Sequence, residues 1–99
     1  MVEIVWTEPA LQQLDDIAEY IALDKPQAAN QLVAQVFQEV ERLARFPDSG
    51  RMPPELPASV YREVVVPPCR VFYRYEAAEV VILLVMREEQ LLRRFMLEE

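Results

Sequence analysis

Tyr61-Arg-Glu-Val-Val-Val66 and Arg70-Val-Phe-Tyr-Arg-Tyr75, separated by Pro67-Pro68-Cys69, decide how this chain folds. Both runs are dense in β-branched and aromatic residues, the composition of a pleated, half-buried surface. Prolines cannot donate ladder hydrogen bonds, so the first strand stops at Pro67 and the chain turns. Side chains alternate along a strand. In the second run Val71, Tyr73 and Tyr75 point one way, and Arg70, Phe72 and Arg74 point the other. One sheet face therefore carries two guanidinium groups on rigid backbone. Arg62 of the first strand joins them if the register allows.

Upstream, Val2 to Trp6 reads as a short strand. Thr7-Glu8-Pro9 is a helix start, with a threonine cap, an acidic first turn and a proline where no N–H is needed. That helix is predicted to run to about Leu23, with Ala10, Leu14, Ile17, Ala18 and Ile21 as its apolar stripe. Asp24-Lys25-Pro26 punctuates, Asp24 as a cap and Pro26 in the first turn of the next helix. The second helix spans about Gln27 to Phe46, with Ala29, Leu32, Val33, Val36, Val40, Leu43 and Ala44 facing inward. So short a connection makes the two an antiparallel helical hairpin.

A proline-rich loop, Phe46 to Pro57, has no period and leads into the two strands. Downstream, Tyr75 to Glu79 turns into Val80-Val-Ile-Leu-Leu-Val-Met86, a continuous apolar strand that asks for burial on both faces. The tail, Glu88 to Glu99, carries Leu91, Leu92, Phe95 and Met96 at helical spacing and reads as a short helix. The fold class is thus α+β over a single domain, 1–99. The helical hairpin packs on one face of a small antiparallel sheet in the order β-α-α-β-β-β, with a short C-terminal helix. The opposite face is left partly open, and the arginines are expected to point there.

Composition narrows the chemistry. A chain of 99 residues supports one two-layer core. With no histidine, it lacks the usual general base and the commonest metal ligand. With one glycine, Gly50, it has no phosphate-cradling loop. The single cysteine, Cys69, reads as a turn residue with a free thiol. No cofactor and no metal is expected. No apolar run approaches the roughly 20 residues that cross a bilayer, and the Met1-Val-Glu-Ile4 start lacks a secretion signal, so a cytoplasmic location without membrane association is the default. A net charge of −7 opposes direct nucleic-acid binding. Between Arg51 and Tyr75, however, four arginines stand against two glutamates. A basic patch on an acidic body fits a chosen macromolecular partner.

Several segments, in order, resemble the ParE/RelE superfamily of toxins from type II toxin–antitoxin systems, with ParE the nearer branch. They are Trp6-Thr7, Leu14-Asp15-Asp16-Ile17 with Tyr20-Ile21, Asp24-Lys25-Pro26-Gln27-Ala28-Ala29, Phe46-Pro47, Gly50-Arg51, Arg62-Glu63 and Arg70-Val-Phe-Tyr-Arg74, followed by an apolar strand closed by Arg87. The resemblance covers almost the whole chain and implies the same hairpin-on-sheet fold. It implies a growth inhibitor neutralised by a cognate, ParD-like antitoxin. ParE-like members bind DNA gyrase and trap its cleavage complex without being enzymes; RelE-like members cut mRNA on the ribosome.

For the first activity, the resemblance makes Arg62, Arg70, Arg74 and Arg87 the residues for target or antitoxin binding. For the alternative, a ribonuclease, Arg62, Arg70 and Arg87 are the catalytic set, with Arg70 as the sheet arginine. A third reading is an inactive homologue that serves only as an interaction module. Two departures bear on the choice. Val64 stands where RelE-like toxins carry a second lysine. Glu88-Glu89 follows the last strand where ParE-like toxins are commonly basic.

Overall fold

The computed structural model describes residues 1–98; Glu99, the end of the expected tail helix, lies outside them. The element order is β1 (Glu3–Trp6), α1 (Glu8–Ala22), α2 (Pro26–Glu41), β2 (Tyr61–Val66), β3 (Cys69–Glu76) and β4 (Glu79–Arg87), with 3-10 turns at Arg42–Ala44 and Arg94–Met96.

Thr7 caps α1 as its position predicts. Its hydroxyl accepts from the Ala10 N–H at 3.4 Å and donates to the Ile82 carbonyl at 2.8 Å, tying the start of the helix to β4. Asp24 does not cap α2. The N–H groups of Asp24 and Lys25 both bond back to the Ile21 carbonyl, so Asp24 still belongs to the end of α1, and Lys25 precedes α2 without a side-chain cap. The second helix also stops earlier than its periodicity predicts. The backbone tightens to a 3-10 turn that buries Leu43, and Phe46, which precedes Pro47, is disfavoured in the helical region.

Four strands form one sheet in the order β1-β4-β3-β2. β2, β3 and β4 make the antiparallel meander that patterning predicts. β1, however, joins β4 in parallel, with Glu3 opposite Glu79 and Trp6 opposite Ile82, so the sheet is mixed rather than wholly antiparallel. Thr7, bonded to Ile82 through both backbone and side chain, holds β1 in that direction.

A bulge interrupts β3 and β4. Phe72 faces Leu84 and Tyr73 faces Ile82, leaving Leu83 as the extra residue. Leu83 and Leu84 consequently turn to the same face, while Ile82 and Val85 serve the other.

The hairpin face is the main core. Leu14, Leu32, Val36 and Val40 pack on Val71, Tyr73, Val80, Ile82 and Val85. The opposite face is not open. Phe72, Val81, Leu83, Leu84 and Met86 are covered by Leu92 and Leu97 of the tail, with Leu56 of the proline-rich loop beside them. A strand apolar on both sides needs cover on both, and loop and tail supply the second layer. The tail does so largely without helix, forming only the Arg94–Met96 turn. Leu97 rather than Phe95 is its second buried anchor.

Candidate functional site

β3 sets the directions of the arginines. Arg70 stands beside Phe72 on the face away from the hairpin, its guanidinium 4.8 Å from the ring centroid. It is only 5% exposed. Glu63 on β2 lies two residues from Val65, the register partner of Arg70, and so shares that face as a diagonal neighbour.

Arg70 Nε donates to Glu63 Oε1 at 3.1 Å and Nη2 to Glu63 Oε2 at 2.8 Å. Glu55, from the loop, takes the other edge: Nη2 to Oε1 at 2.7 Å and Nη1 to Oε2 at 2.8 Å. Nη1 also reaches the Gln90 carbonyl at 3.4 Å, and Glu55 Oε2 accepts from the Leu92 N–H at 3.2 Å. One buried cation thus gathers strand, loop and tail. The Arg70 hydrogen bond holds the Glu55 carboxyl down at about 2, against desolvation that acts the other way. The two glutamates raise the Arg70 pKa further.

Glu63, 1% exposed, also receives Arg51 Nη2 at 3.2 Å. The backbones of Arg51 and Glu63 exchange hydrogen bonds at 3.0 and 2.8 Å, which lays the loop along the edge of β2. Tyr73 fixes the same loop from below. Its hydroxyl accepts from the Gly50 N–H at 2.9 Å and donates to the Pro47 carbonyl at 2.7 Å.

The other predicted arginines are dispersed. Arg62 is opposite Tyr73 and so lies on the hairpin face, away from Arg70; its Nη1 donates to the carbonyls of Gly50 at 2.9 Å and Asp48 at 3.2 Å. The register does not bring it to Arg70. Arg74 shares the Arg70 face and pairs with Glu76 at 2.7 Å. Arg87 ends β4 on the hairpin side, paired with Glu89 at 3.3 Å and 6.0 Å from the Tyr20 ring centroid. The four arginines form no single constellation.

Among the described residues, Asp15, Asp16 and Glu19 are the acids placed near enough to share a cation; all three are exposed, and such groups are common without one. Among the described residues no helix is long and apolar enough to cross a membrane.

The family model for the ParE toxin of type II toxin–antitoxin systems, parDE, matches residues 4–92. The chain belongs to the ParE toxin family.

Toxin RelE2 of Caulobacter vibrioides is 35% identical over 77 residues, which cover 78% of this ParE-family chain and 83% of that protein. Y4kP of Sinorhizobium fredii, named as a candidate toxin, is 48% identical over 48 residues, and the match spans 48% of this chain and half of that relative. Among solved structures, a chain of a chromosomal ParDE TA system from P. aeruginosa matches with a TM-score of 0.76 at 24% identity, covering 90% of this chain and 98% of the other. That last likeness speaks for the fold.

Sequence reasoning missed the partners of Arg70 in this ParE-family toxin. The signal for Glu63 was present: a turn of two prolines fixes the hairpin register, and the register puts Glu63 and Arg70 on one face. Glu55 carried no such signal, because it sits in a loop without a period.

Proposed function

We propose that this chain is the growth-arresting toxin of a type II pair, held inactive by a cognate antitoxin, and that it acts by binding DNA gyrase and trapping its cleavage complex rather than by cutting RNA. The observation that carries the choice is the state of Arg70. A ribonuclease on this sheet needs a cation free to hold the scissile phosphate and take up charge in the transition state. Arg70 is buried and saturated by two carboxylates, and Glu63 is shared with Arg51. Arg62 and Arg87 lie on the other face. The chain has no histidine to serve as general base, and the carboxylates beside Arg70 and Arg87 are engaged in ion pairs with those arginines. Membership of the ParE family supports the same reading.

The alternative, ribosome-dependent mRNA cleavage, is favoured by the likeness to toxin RelE2. Supercoiling by purified gyrase separates the two. Inhibition with accumulated cleaved DNA supports gyrase. Unimpaired supercoiling together with cut mRNA on ribosomes overturns it.

A further inference from the structure

Two hollows lie along β2, the last strand of the sheet, where α2 and the proline-rich loop stand over its edge. The first, of about 300 Å³, is walled by Arg42, Ser49 and Arg51. The second, of about 240 Å³, continues along α2 past Gln35 and Gln38. Glu39, Arg42 and Val65 line both, so the two form one cleft with a cationic end and a half-apolar end.

The cationic end stands on a firmly held loop. The Tyr73 hydroxyl bonds to the Gly50 N–H and the Pro47 carbonyl, and Arg62 Nη1 takes the carbonyls of Asp48 and Gly50. Arg51 exchanges backbone hydrogen bonds with Glu63. Ser49 and Arg51 are thereby fixed across the hollow from Arg42, which follows the last residue of α2. A guanidinium has five N–H donors. Arg51 gives Nη2 to Glu63 and Arg42 gives Nη1 to Glu39, and the two side chains stay 59% and 62% exposed. The Ser49 hydroxyl has no hydrogen-bond partner among the described residues. Donors already held in place lose little freedom when an acceptor arrives.

We propose that this cleft binds a nucleoside monophosphate. The phosphate sits between Arg42, Ser49 and Arg51, whose forked donors match its oxygens. The base lies in the second hollow against Val65, which is 36% exposed, with Gln35 and Gln38 at its edge. A glutamine amide matches the donor and acceptor of an adenine edge. Two carboxylates stand nearby. Glu63 is buried and already holds Arg70, so its charge is met from within. Glu39 holds Arg42 in an exposed pair that contributes little, and a dianion displaces it. A single nucleotide is favoured over a strand, because a body of net charge −7 repels a polyanion everywhere outside the cleft. The site is separate from the Arg70 node and stands whichever target the toxin has.

The test titrates the full chain at constant ionic strength with adenosine monophosphate, inorganic phosphate, adenosine and a short single-stranded oligonucleotide. Backbone amide and arginine Nε–H signals are followed. Adenosine monophosphate is expected to move the signals of Gln38, Arg42, Ser49 and Arg51. Inorganic phosphate moves only the last three and binds less tightly, and adenosine leaves the arginines unmoved. Ser49→Ala, at an exposed position, removes one hydrogen bond to a charged acceptor and is expected to weaken nucleotide binding by about tenfold with the unfolding midpoint unchanged. Glu39→Gln removes the competing carboxylate and is expected to tighten it by about threefold.

Equal affinity for inorganic phosphate and adenosine monophosphate overturns the nucleotide assignment. Tighter binding of the oligonucleotide overturns it in favour of a strand. The absence of saturable binding overturns the site itself, as do weaker binding by Glu39→Gln, unchanged binding by Ser49→Ala, or signals that move only in the tail at Arg93 and Arg94.

Discussion

Arg70 and Glu55 meet edge to edge, two nitrogens on two oxygens at 2.7 and 2.8 Å, although 15 residues separate them in the chain. Such a bidentate pair fixes geometry as well as charge. Here it fastens an irregular loop onto a strand, and Glu63 completes it from beneath. A buried charge that loses its partner is costly. Arg70→Ala leaves Glu63 in the interior with Arg51 at 3.2 Å as its remaining cation and is expected to lower stability by about 3–5 kcal/mol. Urea unfolding midpoints measure it. Glu55→Gln keeps the shape and one set of hydrogen bonds, and is expected to lose only about 1–2 kcal/mol. Equal losses in the two variants would mean that Glu63 is not the group at risk.

Acid sensitivity follows from the same pair. Glu55 has its carboxyl pKa lowered from 4.5 to about 2 in the folded protein, chiefly by Arg70. A group with a depressed folded value adds stability above its unfolded pKa and loses it as pH falls towards the folded one. Stability from this carboxylate is therefore full above about pH 5.5 and fades between about pH 4.5 and 2. The Glu55 side chain is 19% exposed, so after solvent screening the effect is on the order of 1–2 kcal/mol. Chemical unfolding at about pH 6, above that window, and at about pH 3, inside it, checks this against Glu55→Gln, whose pH dependence should be flatter.

Gly50 leaves no room for a side chain. A Cβ there would lie 2.5 Å from the Tyr73 hydroxyl and 2.9 Å from the Glu63 carbonyl. Gly50→Ala is expected to cost about 1–3 kcal/mol, because Tyr73 is fully buried and has nowhere to retreat. Tyr73→Phe removes the partner of both the Gly50 N–H and the Pro47 carbonyl and should cost about 1–3 kcal/mol. If the two changes act on one node, the double variant loses less than the sum of the single ones.

Ala77 and Ala78 form the two-residue connection between β3 and β4, with φ of 54° and 61°. Two left-handed residues make a hairpin turn that suits asparagine followed by glycine better than two alanines. Ala77→Asn combined with Ala78→Gly is expected to raise stability by about 1–2 kcal/mol and leave activity unchanged. Thermal unfolding reads the gain, and a fall in the midpoint would contradict this backbone geometry.

Cys69 is fully buried, and burial pushes its thiol up to about 11. The thiolate is the reactive form. A thiol reagent at mildly alkaline pH should therefore label the native chain far more slowly than the urea-unfolded one. Rapid native labelling would place the residue at the surface.

The helical hairpin, the meander and the start of α1 were legible because each rests on local chemistry. Thr7 and Pro9 mark that start, and Val80 to Met86 reads as a strand buried on both sides. The parallel direction of β1 was not legible, since it depends on where a distant strand lies. The tail misled for a related reason: Leu91, Leu92, Phe95 and Met96 have helical spacing, but the sheet face they meet takes Leu92 and Leu97 from an irregular chain broken by turns. The arginine face was read correctly for Arg70 and Arg74 as neighbours on one side of β3. What hid Arg70 is a glutamate in a loop whose path no periodicity describes.

The link between Thr7 and Ile82 spans 75 positions of the chain. During synthesis, β1 has no neighbour to join until β4 has left the ribosome, and closure of so distant a contact is slow as well as late. The nascent polypeptide therefore passes most of its birth as separate, unfinished pieces. A cell making it has an interval in which the finished molecule does not yet exist, and a companion already present can be waiting when it does.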